Sequence, residues 1–177
     1  MSSKKFNWQI WLEKQEEVEN SFRFYLKKEM IKEEKETKFL HVSHLNKAEY
    51  NLKFVNFLAE QKRFYDWVIV GCYYTIYHSA LALITKKGFS SKNHLATLCS
   101  LIKFYYIQDK MLSKEEIELV SKSALEKEEI SYFTYAKEKR EIASYGLSEE
   151  FNKIEAEDLL KKTVQFLNKC REILESP

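Results

Sequence analysis

The sequence predicts an all-α, up-and-down helical bundle, on three observations. Only three glycines and one proline occur in 177 residues, and the proline is the terminal Pro177, so no interior position carries the strongest helix breaker. A β-rich chain of this size needs many more turn residues. Apolar residues recur at spacings of three and four in segment after segment, as a buried helical face requires. Hydrophobic residues make up 45% of the chain and aromatic residues 15%, which is apolar area enough to offset the entropy of ordering. The 32% that is charged covers a solvated surface.

In the first element, Trp8, Trp11, Val18, Phe22, Tyr25 and Leu26 share one face of a long amphipathic helix over residues 7–35, and the charged run 32–38 reads as its fraying end and a linker. A second helix over 44–62 carries Leu45, Ala48, Leu52, Val55 and Leu58. The third runs from an N-cap at Asp66 to Lys87, with Gly88 as its C-terminal stop. A fourth comes after Ser90 and Ser91 and carries Leu95, Leu98, Ile102 and Tyr105. The fifth opens on a capping box, Ser113 with Glu116, continues through Ile117, Val120 and Ala124, bends near 126–129 and ends at Gly146. The last, over 154–174, buries Leu160, Val164, Leu167 and Leu174. With no internal repeat or low-complexity linker, the expected organisation is an N-terminal helical extension and linker, 1–42, and then one helical bundle domain, 43–177.

Twenty-nine Lys and Arg against twenty-seven Asp and Glu leave a formal charge of +2. That excludes a blanket attraction to nucleic acid and leaves room for a local basic patch. Cys72, Cys99 and Cys170 are odd in number, widely spaced and set among apolar residues, which predicts buried free thiols and a cytoplasmic chain. The N-terminus lacks the continuous apolar stretch of a secretion signal. Residues 67–84, WVIVGCYYTIYHSALALI, carry no formal charge. Their tyrosines, histidine, glycine, threonine and serine predict a core helix rather than a membrane span.

Motif searches mostly exclude. Gly71, Gly88 and Gly146 are too far apart for a phosphate-cradling loop, and neither Glu-x-x-His nor His-Glu-x-x-His occurs. No nucleophile elbow is present. His41 and His44 read as ordinary surface histidines near a helix start. No metal and no cofactor is implied. Two segments remain, the central helix from Gly71 to Leu83 and the stretch from Lys137 to Gly146. Tyr74 and His78 are four apart on one helical face, and Tyr73 and Tyr77 on the next. Lys137, Lys139 and Arg140 form a short cationic cluster, with Tyr145 five residues after the arginine.

The string Gly71-Cys-Tyr-Tyr-Thr-Ile-Tyr-His-Ser-Ala-Leu-Ala-Leu-Ile resembles the second core helix of HEPN domains. Lys87-Gly88-Phe89 and Asn93-His94 resemble the segment after that helix in the stand-alone branch. Arg140-Glu-Ile-Ala-Ser-Tyr145-Gly146 is similar to that branch's arginine motif, and the likeness spans 44–174. It implies a bundle of four to five core helices that forms a homodimer, with both protomers contributing to one groove. It also implies metal-independent RNA cleavage in toxin–antitoxin or defence systems, and in many members a minimal nucleotidyltransferase as partner. The family motif is an arginine with a histidine four to six residues after it. Here Arg140 matches the arginine, and Tyr145 stands where the histidine belongs.

That substitution bears on chemistry. Arginine suits a phosphate, being always charged and bidentate. Tyrosine, with an ordinary pKa near 10, donates hydrogen bonds and is a poor base where histidine is a good one. The expected site therefore has Arg140 on phosphate, Tyr145 and His78 beside it as catalytic groups, and Tyr74, Lys137 and Lys139 as substrate-binding groups. The expected function is an RNA-directed, toxin-like protein. The alternative is a catalytically silent HEPN-like module that binds a protein partner, such as a minimal nucleotidyltransferase, or a nucleotide.

Overall fold

A computed structural model of the chain describes residues 7–35, 37–122 and 149–176. Helices α1 (Ile10–Glu13) and α2 (Gln15–Lys27) precede a short strand β1 (Ile31–Glu33). The long helices α3 (Thr37–Glu60) and α4 (Tyr65–Lys86) form an antiparallel hairpin, with β2 (Phe89–Ser91) after it. Helix α5 (His94–Leu101) runs into a π-helical segment (Ile102–Gln108). Helix α6 opens at 114 and is described to 122, and α7 (Glu149–Glu175) ends the chain. The all-α bundle expected from sequence is the fold, with one two-stranded antiparallel ribbon that pairs Ile31 with Ser91 and Glu33 with Phe89.

Helix α4 is the centre, packed against α3, α5 and α7. It buries Cys72, Tyr73, Thr75, Ile76, Ser79 and every residue from Ala80 to Thr85. It is apolar and long enough to cross a membrane, but 72% of its most apolar window is buried inside the fold. Its polar members are satisfied locally. Thr75 donates to the Gly71 carbonyl (2.9 Å), Ser79 to Thr75 (2.8 Å) and Thr85 to Leu81 (2.8 Å), so small hydroxyls can be buried without orphaned polar groups. Gly88, at φ +89, donates its N–H to the Thr85 carbonyl and stops α4 as expected. Gly71 lets α3 approach: a β-carbon placed there would lie 2.4 Å from Val55 Cγ2.

The N-terminal segment joins the same core. Trp8, Trp11, Val18 and Phe22 are buried beside Ile76, Leu83, Leu98 and Ile102. The single helix expected over 7–35 is instead α1, α2 and a strand. Trp11 Nε1–H donates to Ser21 Oγ (2.9 Å). Residues ten apart lie about 15 Å apart along a straight helix, so this bond requires the bend that extended Lys14 provides. Helix α2 ends early because Glu29 is left-handed (φ 54). Met30 N–H then reaches the Tyr25 carbonyl and Glu29 N–H the Leu26 carbonyl, a Schellman closure in which glutamate sits where glycine is usual. The run expected to be a linker therefore supplies β1 in part.

Other boundaries shift for local reasons. Helix α4 is entered through left-handed Phe64, with no side-chain cap, and Asp66 sits inside the first turn rather than capping it. Helix α3 starts at Thr37, earlier than expected. Asn93 caps α5, its Oδ1 accepting from Ala96 N–H at 2.9 Å. The capping box of α6 forms as read: Ser113 N–H donates to Glu116 Oε2 (2.6 Å) and Glu116 N–H to Ser113 Oγ (3.2 Å). The expected bend at 126–129 and the stop at Gly146 lie outside the described residues. Helix α7 buries Ala156, Thr163, Phe166, Leu167, Cys170 and Ile173, and is tied to α3 by Arg171, which donates through Nε (3.0 Å) and Nη2 (2.8 Å) to Glu49 Oε1.

Candidate functional site

A half-buried cluster of tyrosines and histidines lies where α3, α4 and the start of α5 meet. The period of α4 places Tyr73 and Tyr77 on one stripe, with their rings stacked at 6.4 Å between centroids and 9° between planes. The Tyr73 hydroxyl lies 3.2 Å from both ring nitrogens of His94, and the His94 ring sits 4.3 Å from that of Tyr77. Tyr77 also hydrogen-bonds Thr97 on α5. On the adjacent stripe, His78 meets His44 of α3, Nδ1 to Nδ1 at 3.2 Å. The two imidazoles are 5.4 Å apart by centroid and tilted by 33°. Tyr77 and His78, with ring centroids 6.0 Å apart, join the two halves of the cluster.

Burial sets the protonation states. It raises Tyr73 well above the ordinary tyrosine range, with Tyr77 and Tyr74 adding to the effect. It raises Tyr77 too, partly offset by the Thr97 hydrogen bond. Both are hydrogen-bond donors at any physiological pH and neither can act as a base. Burial lowers His44 below its ordinary 6.5, so it is neutral at neutral pH. Two imidazoles in Nδ1–Nδ1 contact share one hydrogen, one ring donating and the other accepting. The pair can therefore take one extra proton and keep its bond, while a second would set two donors against each other. That is a proton-handling group with exchangeable hydrogens left at its Nε2 positions.

The predicted site residues divide accordingly. His78 is half-buried in the cluster, and Tyr74 stands at its edge, 40% exposed, with its ring edge-on to Tyr73 (5.3 Å, 78°). Arg140, Tyr145, Lys137 and Lys139 lie outside the described residues. His44 is not the surface residue expected from sequence: it is half-buried and bonded to His78. The signal for it was its spacing of four from Ala48 and eleven from Val55, both fully buried, which puts it on the core stripe of α3. His94 gave no signal beyond the family-like Asn93-His94 step. The cysteines are buried and free as expected. Burial pushes Cys72 up to about 11 and Cys99 up to about 12, which leaves them inert as nucleophiles. Among the described residues, no three His, Cys, Asp or Glu side chains converge as metal ligands do.

A model of the HEPN domain matches residues 42–173. The chain belongs to the HEPN domain family. The match takes in α4, the His44–His78 pair and the 137–146 stretch, and leaves α1, α2 and β1 before it. A relative from Methanocaldococcus jannaschii, named "Putative toxin MJ0142", is 31% identical over 130 residues, covering 73% of this chain and 78% of that protein. No solved structure matches the chain. Of the three histidines in the cluster, His78 lies on α4, one helical turn from Tyr74, and meets His44 of α3.

Proposed function

We propose that this HEPN protein is a toxin-like, RNA-directed homodimer of the cytoplasm that cleaves RNA without a metal. The observation that carries the reading is the His44–His78 pair, 3.2 Å apart and half-buried beside tyrosine donors, in a HEPN chain that has tyrosine at the position of the motif histidine. Arg140 binds the scissile phosphate, and Lys137 and Lys139 hold its neighbours. His78 takes the 2′-hydroxyl proton at Nε2 while His44 orients its ring. The 2′-oxygen attacks phosphorus, the P–O5′ bond breaks, and O5′ takes the proton that His78 has accepted, which leaves a 2′,3′-cyclic phosphate, a 5′-hydroxyl and a neutral His78. Tyr145 and Tyr74 donate hydrogen bonds that orient the substrate. The relative's name supports the toxin class, and family membership the RNA.

The test is cleavage of single-stranded RNA by the purified protein in EDTA. Wild type should cut; Arg140→Ala should lose both cutting and RNA retention, and Arg140→Lys should recover part of the binding only. RNA binding should weaken as salt rises. A second reading rests on Tyr145 itself: with tyrosine in place of the motif histidine, the domain is catalytically silent and binds a protein partner, such as a minimal nucleotidyltransferase, or a nucleotide. Unimpaired cleavage in His78→Ala would remove His78 from the site, and absence of cleavage in wild type would favour the silent reading.

A further inference from the structure

The N-terminal segment closes chiefly on one unit of the fold, made of β2, α5 and the π-helical turns after it. Strand β1 pairs with β2, and just past its end Glu34 N–H donates to the Gly88 carbonyl (2.8 Å). On α2 the Val18 carbonyl accepts from Cys99 Sγ (3.6 Å), and Glu19 holds the Lys103 ammonium in a part-buried ion pair. That ammonium also lies over the Phe22 and Phe104 rings, 5.1 and 5.6 Å from their centroids. Phe22 meets Phe89 and Phe104 edge-on, at 5.2 and 5.4 Å, and those two rings stack on each other at 5.3 Å. The π-helical turns show what this grip does. Asp109 N–H reaches the Phe104 carbonyl five residues back (2.9 Å). Lys103 and Phe104 engage α2, whereas Tyr105 is buried against α4, its hydroxyl donating to the Leu83 carbonyl (2.8 Å), and Asp109 pairs with Lys87 (2.7 Å). The widened turn lets successive side chains serve both sides, and such turns are rare and gather at functional sites. One residue of helical phase is about 100°, so rewinding these turns as ordinary α-helix would rotate α5 against the Tyr105 anchor. Helix α5 opens on His94, three residues after the Ser91 that pairs with Ile31. Its phase decides whether His94 and Thr97 face Tyr73 and Tyr77.

We propose that the N-terminal segment is a clamp that holds α5 in the rotational phase at which His94 meets the tyrosine stripe of α4. His94 is then a positioning residue for Tyr73 and Tyr77, and its placement is conditional on residues that lie before the matched domain, 42–173. The His44–His78 half of the cluster depends on the α3–α4 hairpin instead. Loosening the clamp takes His94 and Thr97 away from the tyrosines and leaves the histidine pair in place. The clamp is also the part that opens first. Its ties to β2 and α5 are a three-residue ribbon, one ion pair and the ring contacts of Phe22, whereas α4 packs along its length on α3 and α7. Segments with fewer buried ties open at lower free energy than the core they rest on. The device works alike whatever the site's substrate, so it stands apart from the nuclease reading.

NMR on the full chain tests this. The His94 ring lies 4.3 Å from that of Tyr77, so its carbon-bound protons carry a ring-current shift that reports the contact, with those of His78 as internal reference. Phe22→Leu keeps an apolar side chain and removes both edge-on ring contacts. Lys103→Met keeps the stem and removes the charge. Each should move the His94 resonances towards those of an unstructured histidine and leave those of His78 in place. Each should also raise amide exchange over 94–108 by about 10-fold or more. Val68→Ala, in the other core cluster, lowers stability away from the clamp and should leave the His94 shift unchanged. Unmoved His94 resonances in both clamp variants overturn the proposal. Joint movement of His94 and His78 overturns it too, because the segment would then be ordinary core. Should either variant not fold, wild type in low urea gives the same answer: amides of 10–33 and 94–108 should exchange ahead of those in α4 and α7. One common exchange free energy throughout would overturn the clamp.

Discussion

His44 and His78 stand 34 residues apart in the chain and 3.2 Å apart at their Nδ1 atoms, and the α3–α4 hairpin is what brings them together. Gly71 sits two turns before His78 on the same face of α4, where its missing side chain admits Val55 of α3. The close approach that a glycine permits at one level of the hairpin thus fixes the distance at which two imidazoles can share a hydrogen at the next. Structure and proton chemistry depend on one interhelical spacing.

Stability should track the charge state of His44. Burial holds its folded pKa below the ordinary 6.5. Between the folded and unfolded values the unfolded chain binds more protons, so the contribution is fully present above about pH 6.5 and is lost as pH falls through that window. Urea midpoints measured from pH 7 downwards should therefore drop for wild type. His44→Gln, which does not titrate, should drop less steeply. An equal slope in both would show that His44 does not carry the effect.

Gly71→Ala should destabilise the fold by about 1–3 kcal/mol through overpacking. The added carbon meets Val55 Cγ2 at 2.4 Å, and a β-branched side chain on a helix has little rotamer freedom with which to yield. Val55→Ala in the same chain should recover part of the loss, because it opens the space the new methyl needs. Chemical denaturation of the two single variants and the double variant gives the coupling directly.

Helix α7 should depend on Lys86. Its ammonium donates to the carbonyls of Leu174 (2.6 Å) and Ser176 (2.9 Å), with Ile173 at 3.4 Å, so the last turn of α7 receives a cation where its dipole is negative. Lys86→Met keeps the stem and removes the charge. It should cost about 0.5–1.5 kcal/mol and raise amide hydrogen exchange in the last turn of α7 before that in α4.

Much of this bundle could be read in advance because its signals are local. The uncharged run of α4, Gly88 after it and the Ser113–Glu116 capping box each sit within a few residues of what they specify. What escaped was set across the chain. The end of α2 uses Glu29 in a left-handed position that favours glycine, and β1 exists because Ile31 finds Ser91, sixty residues on. The bend at Lys14 goes with a contact ten residues long, from Trp11 to Ser21. The site divides the same way. His78 and Tyr74 stand out because they interrupt an apolar helix, whereas His44 lies in a mixed stretch, and only the pairing of α3 with α4 gives it a role.

The sharpest functional prediction separates His78 as base from His44 as the group that holds it. In single-turnover RNA cleavage with EDTA present, His78→Ala should lower the rate by about 10²–10⁴-fold, the usual cost of a general base. His44→Ala should cost less and should move the acidic limb of the pH–rate profile, because His78 loses the partner that shares its Nδ1 hydrogen. His44→Asn is the informative variant: its amide can occupy the Nδ1 position and restore a hydrogen bond to His78. It should recover much of the rate that alanine loses without restoring a titrating group at 44. A merely structural role for His44 predicts a different pattern, in which both variants lose stability and rate together and the pH profile keeps its shape. Equal rates for wild type and His78→Ala would move the base elsewhere and leave the pair as a helix-packing contact.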